Sequence, residues 1–317
     1  MIITGIRYYI KGKQRKKLCE GRTADEYLEQ EKVYAGKAVK SCEEMNEYLY
    51  QKILSGQPFM AARYGYTEMF VMRTFAFRMR WNYEKAMKQL CLWSGFFPEK
   101  TELGKKFLDV MLDAAKEVDV LGVELEPFED YFISHKMKEE LQISSLDSLE
   151  PWKTSGQPWS AALRGKRVLV IHPFADTIAS QYQKRGRIFP GTEILPEFEL
   201  LTQKAVQTIA GATDERFCDW FEALNYMYEE AMKQEFDVAI IGCGAYGFPL
   251  AAMLKKAGKQ AIHLGGATQI LFGIRGKRWD SEEKYDYVRK RYTDAWVYPG
   301  KTERPKQLEK VEEGCYW

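Results

Sequence analysis

Residues 236–279 read FDVAIIGCGAYGFPLAAMLKKAGKQAIHLGGATQILFGIRGKRW, and their punctuation decides the fold class. A β-branched run at Val238, Ile240 and Ile241 ends in Gly242-Cys243-Gly244-Ala245-Tyr246-Gly247. Pro249 stands just inside an apolar helix that closes at Gly258, the usual asymmetry of helix ends. Residues 260–264 form a second short strand, which runs into Gly265-Gly266. Strand, glycine turn, helix and strand make a βαβ unit, and its glycines fall where a parallel sheet binds ligands. Lacking Cβ, they let the chain turn sharply and let backbone N–H groups approach a ligand. The first helical turn favours an anion, most often a phosphate.

G-x-G-x-x-G is common in dinucleotide enzymes, which also need an Asp or Glu about 20 residues on for the ribose. That place is His263-Leu264-Gly265-Gly266, without an acid. No Asp or Glu occurs between Asp237 and Asp280, whereas Lys255, Lys256, Lys259, Arg275, Lys277 and Arg278 all do. An anionic ligand other than NAD is therefore expected. Lys255, Lys256 and Lys259 read as a solvated helix face. Arg275, Lys277 and Arg278 lie beyond that helix, beside Trp279, and are the candidate anion-binding side chains. Cys243 reads as a small residue tolerated in a tight turn, since no histidine near it in sequence would activate it.

The rest of the chain sets bounds. Its 317 residues suffice for one large or two modest domains, and with a formal charge of +2 and well-mixed charges nothing suggests a nucleic-acid surface. No run approaches the roughly 18 apolar residues of a membrane helix. The N-terminal charges follow the apolar residues, the reverse of a secretory signal, so a cytoplasmic protein is expected. Six scattered cysteines read as free thiols, and three widely spaced histidines offer no His-rich zinc site. Residues 11–17 (KGKQRKK) hold five cations, read as a solvated run with a minority reading of weak peripheral contact with an anionic membrane. The expected organisation is a helical segment over 1–57, a Rossmann-like α/β domain over 58–299 and a C-terminal tail over 300–317, loosely held over 300–314.

Residues 23–55 read as helical with Ser41 as a cap, 59–63 as a strand, Gly65 as a turn, and Thr67-Glu68 as the entry to a helix. Arg63 and Glu68 thus flank a strand-to-helix turn. Two readings stand side by side: functional groups at a sheet edge, or a carboxylate partner and a first-turn glutamate favoured by the helix dipole. Residues 82–117 read as one or two amphipathic helices, 118–123 as a strand, and 124–165 as irregular. A strand over 166–171 runs into His172-Pro173-Phe174-Ala175-Asp176-Thr177, with Asp176 or Thr177 capping a helix through Gln183. His172 is a candidate proton carrier or phosphate donor, or a structural histidine. Asp176 is a candidate base, or simply the cap. Phe198-Glu199 are read as preceding a further helix, and 217–235 as the helix entering the central strand.

Arg63-Tyr64-Gly65-Tyr66-Thr67-Glu68, the strand–HPFA turn, GCGAYG and HLGGATQILFGIRGKRW together resemble the bacterial glycosyltransferases of the GT-D fold, over roughly 58–72 and 166–280. The resemblance implies a Rossmann-like, mainly parallel sheet flanked by helices, and transfer of a sugar from a nucleotide-sugar to a growing glycan. That family's signature is Arg-aromatic-Gly followed by Asp-x-Glu, whose carboxylates hold a divalent cation on the donor pyrophosphate. Arg63, Gly65 and Glu68 match, while Tyr66 stands where the family has Asp. One carboxylate is a poor Mn²⁺ or Mg²⁺ site. Arg275, Lys277 and Arg278 are then candidates to offset the leaving diphosphate, and Glu68 to act as base on the acceptor hydroxyl or as the remaining metal ligand.

The expectation is a hexosyltransferase-type enzyme of cell-surface polysaccharide or glycoprotein synthesis, using a nucleotide-diphosphate sugar and a glycan or lipid-linked acceptor. Its donor would lie on Gly242, Gly244, Tyr246, Gly247, Gly265 and Gly266. Its catalytic side chains would be Glu68, Arg63, His172 and Asp176. Two alternatives stay open on the residues: an NAD(P)- or S-adenosylmethionine-dependent Rossmann enzyme, and a non-catalytic sugar-nucleotide-binding protein.

Overall fold

The structure, a computed structural model, describes residues 2–18, 23–305 and 314–317. Helix α1 spans Ile2–Leu18 and α2 Ala24–Glu31. A hairpin follows, β1 (Val33–Tyr34) against β2 (Lys37–Ala38), so the stretch from 23 to 55 is not helical throughout. Ala35 and Gly36, at φ 53° and 82°, make the tight turn that joins the two strands. Helix α3 (Cys42–Ser55) opens on the expected Ser41, whose hydroxyl accepts from Glu44 N–H while the Glu44 carboxylate accepts from Ser41 N–H.

Seven strands build the main sheet: β3 (Phe59–Arg63), β4 (Val120–Val123), β5 (Gln142–Ser145), β6 (Arg167–His172), β7 (Glu199–Lys204), β8 (Val238–Ile241) and β9 (Gln260–His263). Their order is β5-β4-β3-β9-β8-β6-β7, with every pair parallel. The fold is α/β, a Rossmann-like parallel sheet flanked by helices with a helical N-terminal region. Both sheet faces are covered, which is why β3, β4 and β8 read as almost unbroken apolar runs, and all four residues of β9, Gln260 and His263 included, are buried.

Period-two alternation divides the core. Met60, Ala62, Leu121, Leu169, Ile171, Ala239 and Ile241 face one side. There they meet α4 (Tyr66–Ala76), α5 (Tyr83–Ser94), α6 (Leu103–Ala115), α7 (Glu129–Lys136), α10 (Trp220–Met232) and α11 (Gly247–Lys256). Phe59, Ala61, Val168, Val170, Val238, Ile240 and Ile262 face the other, against α3 and α8 (Ala175–Tyr182). Four short helices complete the chain: α9 (Arg185–Ile188), α12 (Ala267–Leu271), α13 (Lys277–Ser281) and α14 (Asp286–Arg289). From β6 the chain moves outward to β7, and from β8 it moves the opposite way to β9. That reversal opens a crevice at the strands' carboxyl ends.

Four expectations are corrected. The stretch 124–165 contains α7 and the edge strand β5. Residues 199–204 are a strand, because ladder bonds to β6 outweigh the weak local pattern of ELLTQK. Neither Asp176 nor Thr177 caps α8 with its side chain; the buried Glu303 carboxylate accepts from Asp176 N–H at 2.9 Å and Thr177 N–H at 3.2 Å. Of the stretch 300–314, expected to be loosely held, Glu303 is buried and anchored while 306–313 lie outside the described residues; beyond it Cys315 and Trp317 are buried. Cys42, Cys91, Cys218, Cys243 and Cys315 are free thiols, while Cys19 lies outside the described residues. No helix among the described residues is long and apolar enough to cross a membrane.

Candidate active site

A cavity of about 510 Å³ opens at the carboxyl ends of β3, β4, β6, β8 and β9. Arg63, the last residue of β3, places Nη2 2.6 Å from Glu124 Oε2, just beyond the neighbouring strand β4. Gly65 follows as the N-cap of α4, and Glu68 lies in that helix's first turn, only 5% exposed. The Glu68 carboxylate folds back so closely that a Cβ on Gly65 would stand 1.8 Å from Oε2. Gly65 is thus required by a buried side chain, not by an unusual backbone, since its φ is −84°. Thr67 donates its hydroxyl to Glu68 Oε2 at 3.0 Å and is itself hydrogen-bonded to the Ser94 hydroxyl at the end of α5. Tyr66 stands at the rim, 46% exposed, beside Phe70.

The glycine turn after β8 is built differently. A Cβ on Gly242 would meet Gly265 O at 2.5 Å, Thr268 Oγ1 at 2.6 Å and His172 Cδ2 at 2.7 Å. At Gly244, with φ +59°, it would meet Ser94 O at 2.6 Å, and at Gly247 the His263 ring at 2.2 Å. The Gly242 and Gly247 N–H groups are spent on Ile171 O and Gly244 O. Gly242, Gly244 and Tyr246 line the cavity, as do Gly265 and Gly266, while Gly247 does not. Of the N–H groups expected to approach a ligand, those of Gly242 and Gly247 are thus already bonded within the protein. The space these glycines clear at 242, 244 and 247 is filled by protein.

Two buried histidines pack against this turn. His172 Nδ1 accepts from Phe174 N–H at 3.0 Å, which places the neutral ring's proton on Nε2. Burial pushes its pKa down to about 3. His263 lies with Nδ1 3.3 Å from Ile241 O, and burial, reinforced by the Arg63 charge, pushes its pKa down to about 3 as well. Both rings are neutral near pH 7. His172 is thus a buried, hydrogen-bonded ring in the cavity wall.

The remaining candidates separate. Arg278, in α13, lines the cavity and donates from Nη1 to Tyr316 Oη at 3.2 Å. Arg275 and Lys277 are not in its wall. The Arg275 guanidinium is 3.2 Å from Asp280 and lies over the rings of Tyr292 and Tyr298. Asp176 also falls outside, exposed and 3.6 Å from Lys204. The solvated-face reading of Lys255, Lys256 and Lys259 holds only for Lys256, which is exposed, and all three are paired. Lys255 is 2.8 Å from Asp119, Lys256 2.6 Å from Asp113, and Lys259 donates to Phe236 O at 2.8 Å.

Reasoning along the sequence missed Glu124, His263, Lys284, Tyr316 and Trp317, all of which line the cavity. Glu124 and His263 had a usable signal, because each stands at the carboxyl end of a recognised strand. Tyr316 and Trp317 had none. They arrive by tertiary contacts, with Arg278 N–H donating to Cys315 O and Lys277 N–H to Trp317 O. The wall carries three basic side chains, Arg63, Arg278 and Lys284, and three acidic ones, Glu68, Glu124 and Glu282.

Among the described residues no group of three or more His, Cys, Asp or Glu is arranged to hold a metal ion. The donor set explains this. Tyr66 has no carboxylate, Glu124 is tied to Arg63 and Glu282 to Lys284, and Glu68 is left as a single ligand, whereas Mn²⁺ and Mg²⁺ take several oxygens. These residues do not fit the divalent cation that the GT-D resemblance implies.

No family model matches the chain, and no curated protein matches it. It is similar to a solved structure of the highly conserved domain of unknown function 1792, described as having a distinct glycosyltransferase fold. The identity is 13%, the TM-score 0.42, and the likeness covers 86% of this chain and 94% of that one. A likeness of that size places no residue and assigns no activity.

Proposed function

We propose that the protein is a glycosyltransferase that uses a nucleotide-diphosphate sugar and needs no metal. The observation that carries this reading is the convergence of Arg63, Arg278 and Glu68 in one cavity at the carboxyl edge of a parallel sheet. Its volume lies within the range of small-molecule and cofactor sites. The nucleotide diphosphate lies across the β8 turn and the Gly265-Gly266 loop. Arg63 and Arg278 face the phosphates, and the His172 ring contributes a neutral wall.

Glu68 removes the proton from the acceptor hydroxyl as its oxygen attacks the anomeric carbon. The bond from that carbon to the phosphate oxygen breaks, and the electron pair leaves with the nucleoside diphosphate. Charge grows on that leaving group during transfer, so guanidinium groups held near it favour the transition state over the bound substrate. The acceptor is a glycan or lipid-linked sugar of cell-surface polysaccharide or glycoprotein synthesis, and the transferred sugar a hexose.

A thermal-shift screen tests the reading. Full-length protein is heated with UDP-, dTDP-, GDP- and CMP-sugars, NADP and S-adenosylmethionine, each with Mn²⁺ and with EDTA. A ligand at 100 times its Kd stabilises by about 2.7 kcal/mol. The expected result is a shift with one nucleotide-sugar that survives EDTA and is lost in Arg278→Ala. A response confined to NADP or the methyl donor overturns the proposal. Binding without turnover across many acceptors makes the protein a sugar-nucleotide sensor instead.

A further inference from the structure

Helix α1 is docked through one face only. On the inner face a Cβ at Gly5 would be 2.9 Å from the Phe77 ring, and one at Gly12 would be 3.9 Å from Pro127. Tyr8 lies edge-on to Tyr131 at 5.2 Å, and Arg15 pairs with Asp130 at 2.7 Å while lying over the Tyr34 ring. Positions 5, 8, 12 and 15 follow helical spacing, so this face is the seam that holds α1 to α7 and the loop before it.

The opposite face is uncovered. Ile6, Tyr9 and Ile10 are 54%, 50% and 49% exposed, three large apolar side chains clustered by i, i+3 and i+4 spacing. Lys13 and Lys17 continue the same face by one and two further turns, with Arg7 and Lys11 at its margin; all four are exposed. No Asp or Glu occurs in residues 2–18. Among the described residues, none of these four cations forms a salt bridge with a carboxylate. A soluble surface helix normally turns its large apolar residues inward and mixes its charges. Here the half not needed for docking carries apolar groups at one end and only positive charge at the other.

We propose that this face of α1 seats the protein on an anionic lipid bilayer. Ile6, Tyr9 and Ile10 enter the headgroup–acyl boundary, and Arg7, Lys11, Lys13 and Lys17 meet lipid phosphates and carboxylates. That division of labour is typical of helices lying in a membrane interface, where apolar insertion and charge attraction add. Lysine stems of this length reach the headgroup level while their methylenes stay along the apolar surface. The position in the fold makes the contact useful. The α1 seam lies on residues 127–135, a segment that begins just beyond Glu124, the partner of Arg63 in the cavity wall. Helix α1 would therefore stand between such a bilayer and the segment that follows Glu124.

The proposal stands without the transferase reading, because its readout is partition and not turnover. Full-length protein is sedimented with phosphatidylcholine vesicles prepared with and without phosphatidylserine, at low and at high salt. Binding is expected only to the anionic vesicles, falling with salt and dropping roughly fivefold for each of Lys11, Lys13 and Lys17 changed to Ala. Ile10→Asp is expected to abolish it while the far-ultraviolet dichroism and melting temperature stay unchanged, since this side chain is exposed. Equal binding to both vesicle types, or binding indifferent to Ile10→Asp, overturns the proposal. So does a concentration-dependent dimer dispersed by Ile10→Asp, which would assign the face to a second copy of the chain. Glu68→Gln is expected to bind vesicles as the parent does, so failed partition and failed transfer are separately visible.

Discussion

Two strand-to-helix turns face the same cavity, separated in the sheet only by β9, and they are built on opposite principles. The turn from β3 to α4 delivers side chains: Arg63 against Glu124, Thr67 against Ser94, and Glu68 buried over Gly65. The turn from β8 to α11 withholds them, so that His172, Ser94 and His263 can occupy the vacated space. Similar topology thus yields a corner lined by charged and polar side chains in one place and a packing joint in the other. A glycine pattern that resembles a phosphate cradle in the sequence serves here, at three positions, to bring protein against protein. Burial makes this distinction costly to violate, since a close-packed interior has no slack for a misplaced methyl group.

The comparison breaks most visibly at Glu68. Glu68→Gln is nearly isosteric, and loss of a general base lowers rates by about 10² to 10⁴. Donor transfer measured at saturating acceptor should fall within that range while the melting temperature holds. A lowered melting temperature with undiminished specific activity would assign Glu68 to the first turn of α4 alone. At the other turn the expected effect is structural. The added Cβ in Gly247→Ala, at 2.2 Å from the His263 ring, is an overpacked contact expected to cost about 1–3 kcal/mol. In urea unfolding, the double variant with His263→Ala should recover part of that loss. Strictly additive costs would mean that the two positions do not press on one another.

The smallest effect separates the regions by pH. Behind the first turn, Glu129 accepts from the N–H groups of Glu124 and Glu126, and its burial raises its pKa to about 8. Glu126 and Glu150 are likewise raised, to about 7 and about 8, chiefly by burial. In the unfolded chain these groups titrate near 4.5, so in that window the native state holds more protons and stability declines as pH rises. The histidines at the second turn carry the opposite sign. Their pKa falls from 6.5 to about 3, so their contribution is present above pH 6.5 and is lost as pH drops toward 3. Between pH 6.5 and 8, of these two sets only the glutamates act. The urea midpoint should decrease across that interval, and Glu129→Gln should flatten the slope. A slope unchanged by Glu129→Gln would remove this residue from the account.

Much of the scaffold was legible locally. The strand from Phe59 to Arg63, the two around the glycine turn and the Ser41 cap were readable because each depends on residues a few positions apart. Strand β7 was not, because its identity is conferred by the partner strand β6 and not by its own pattern. The cap of α8 was misassigned for a similar reason: its acceptor, Glu303, lies 127 residues beyond the Asp176 N–H it satisfies.

The candidate site divides along the same line. Periodicity, glycine placement and the edge rule for parallel sheets were enough to locate Arg63, Glu68, His172 and the β8 turn at one end of the molecule, because backbone geometry carries that information. Charge was not readable in this way. The segment between Asp237 and Asp280 has no acid in its sequence, yet Lys255, Lys256 and Arg275 meet Asp119, Asp113 and Asp280 in space, and only Arg278 of the three expected anion-binding side chains reaches the cavity. Coulomb energy depends on distance through space and on the local dielectric, neither of which sequence separation records. Which cations face the cavity, which glycines face protein, and how Tyr316 and Trp317 come to wall the cavity were settled only when the chain closed on itself.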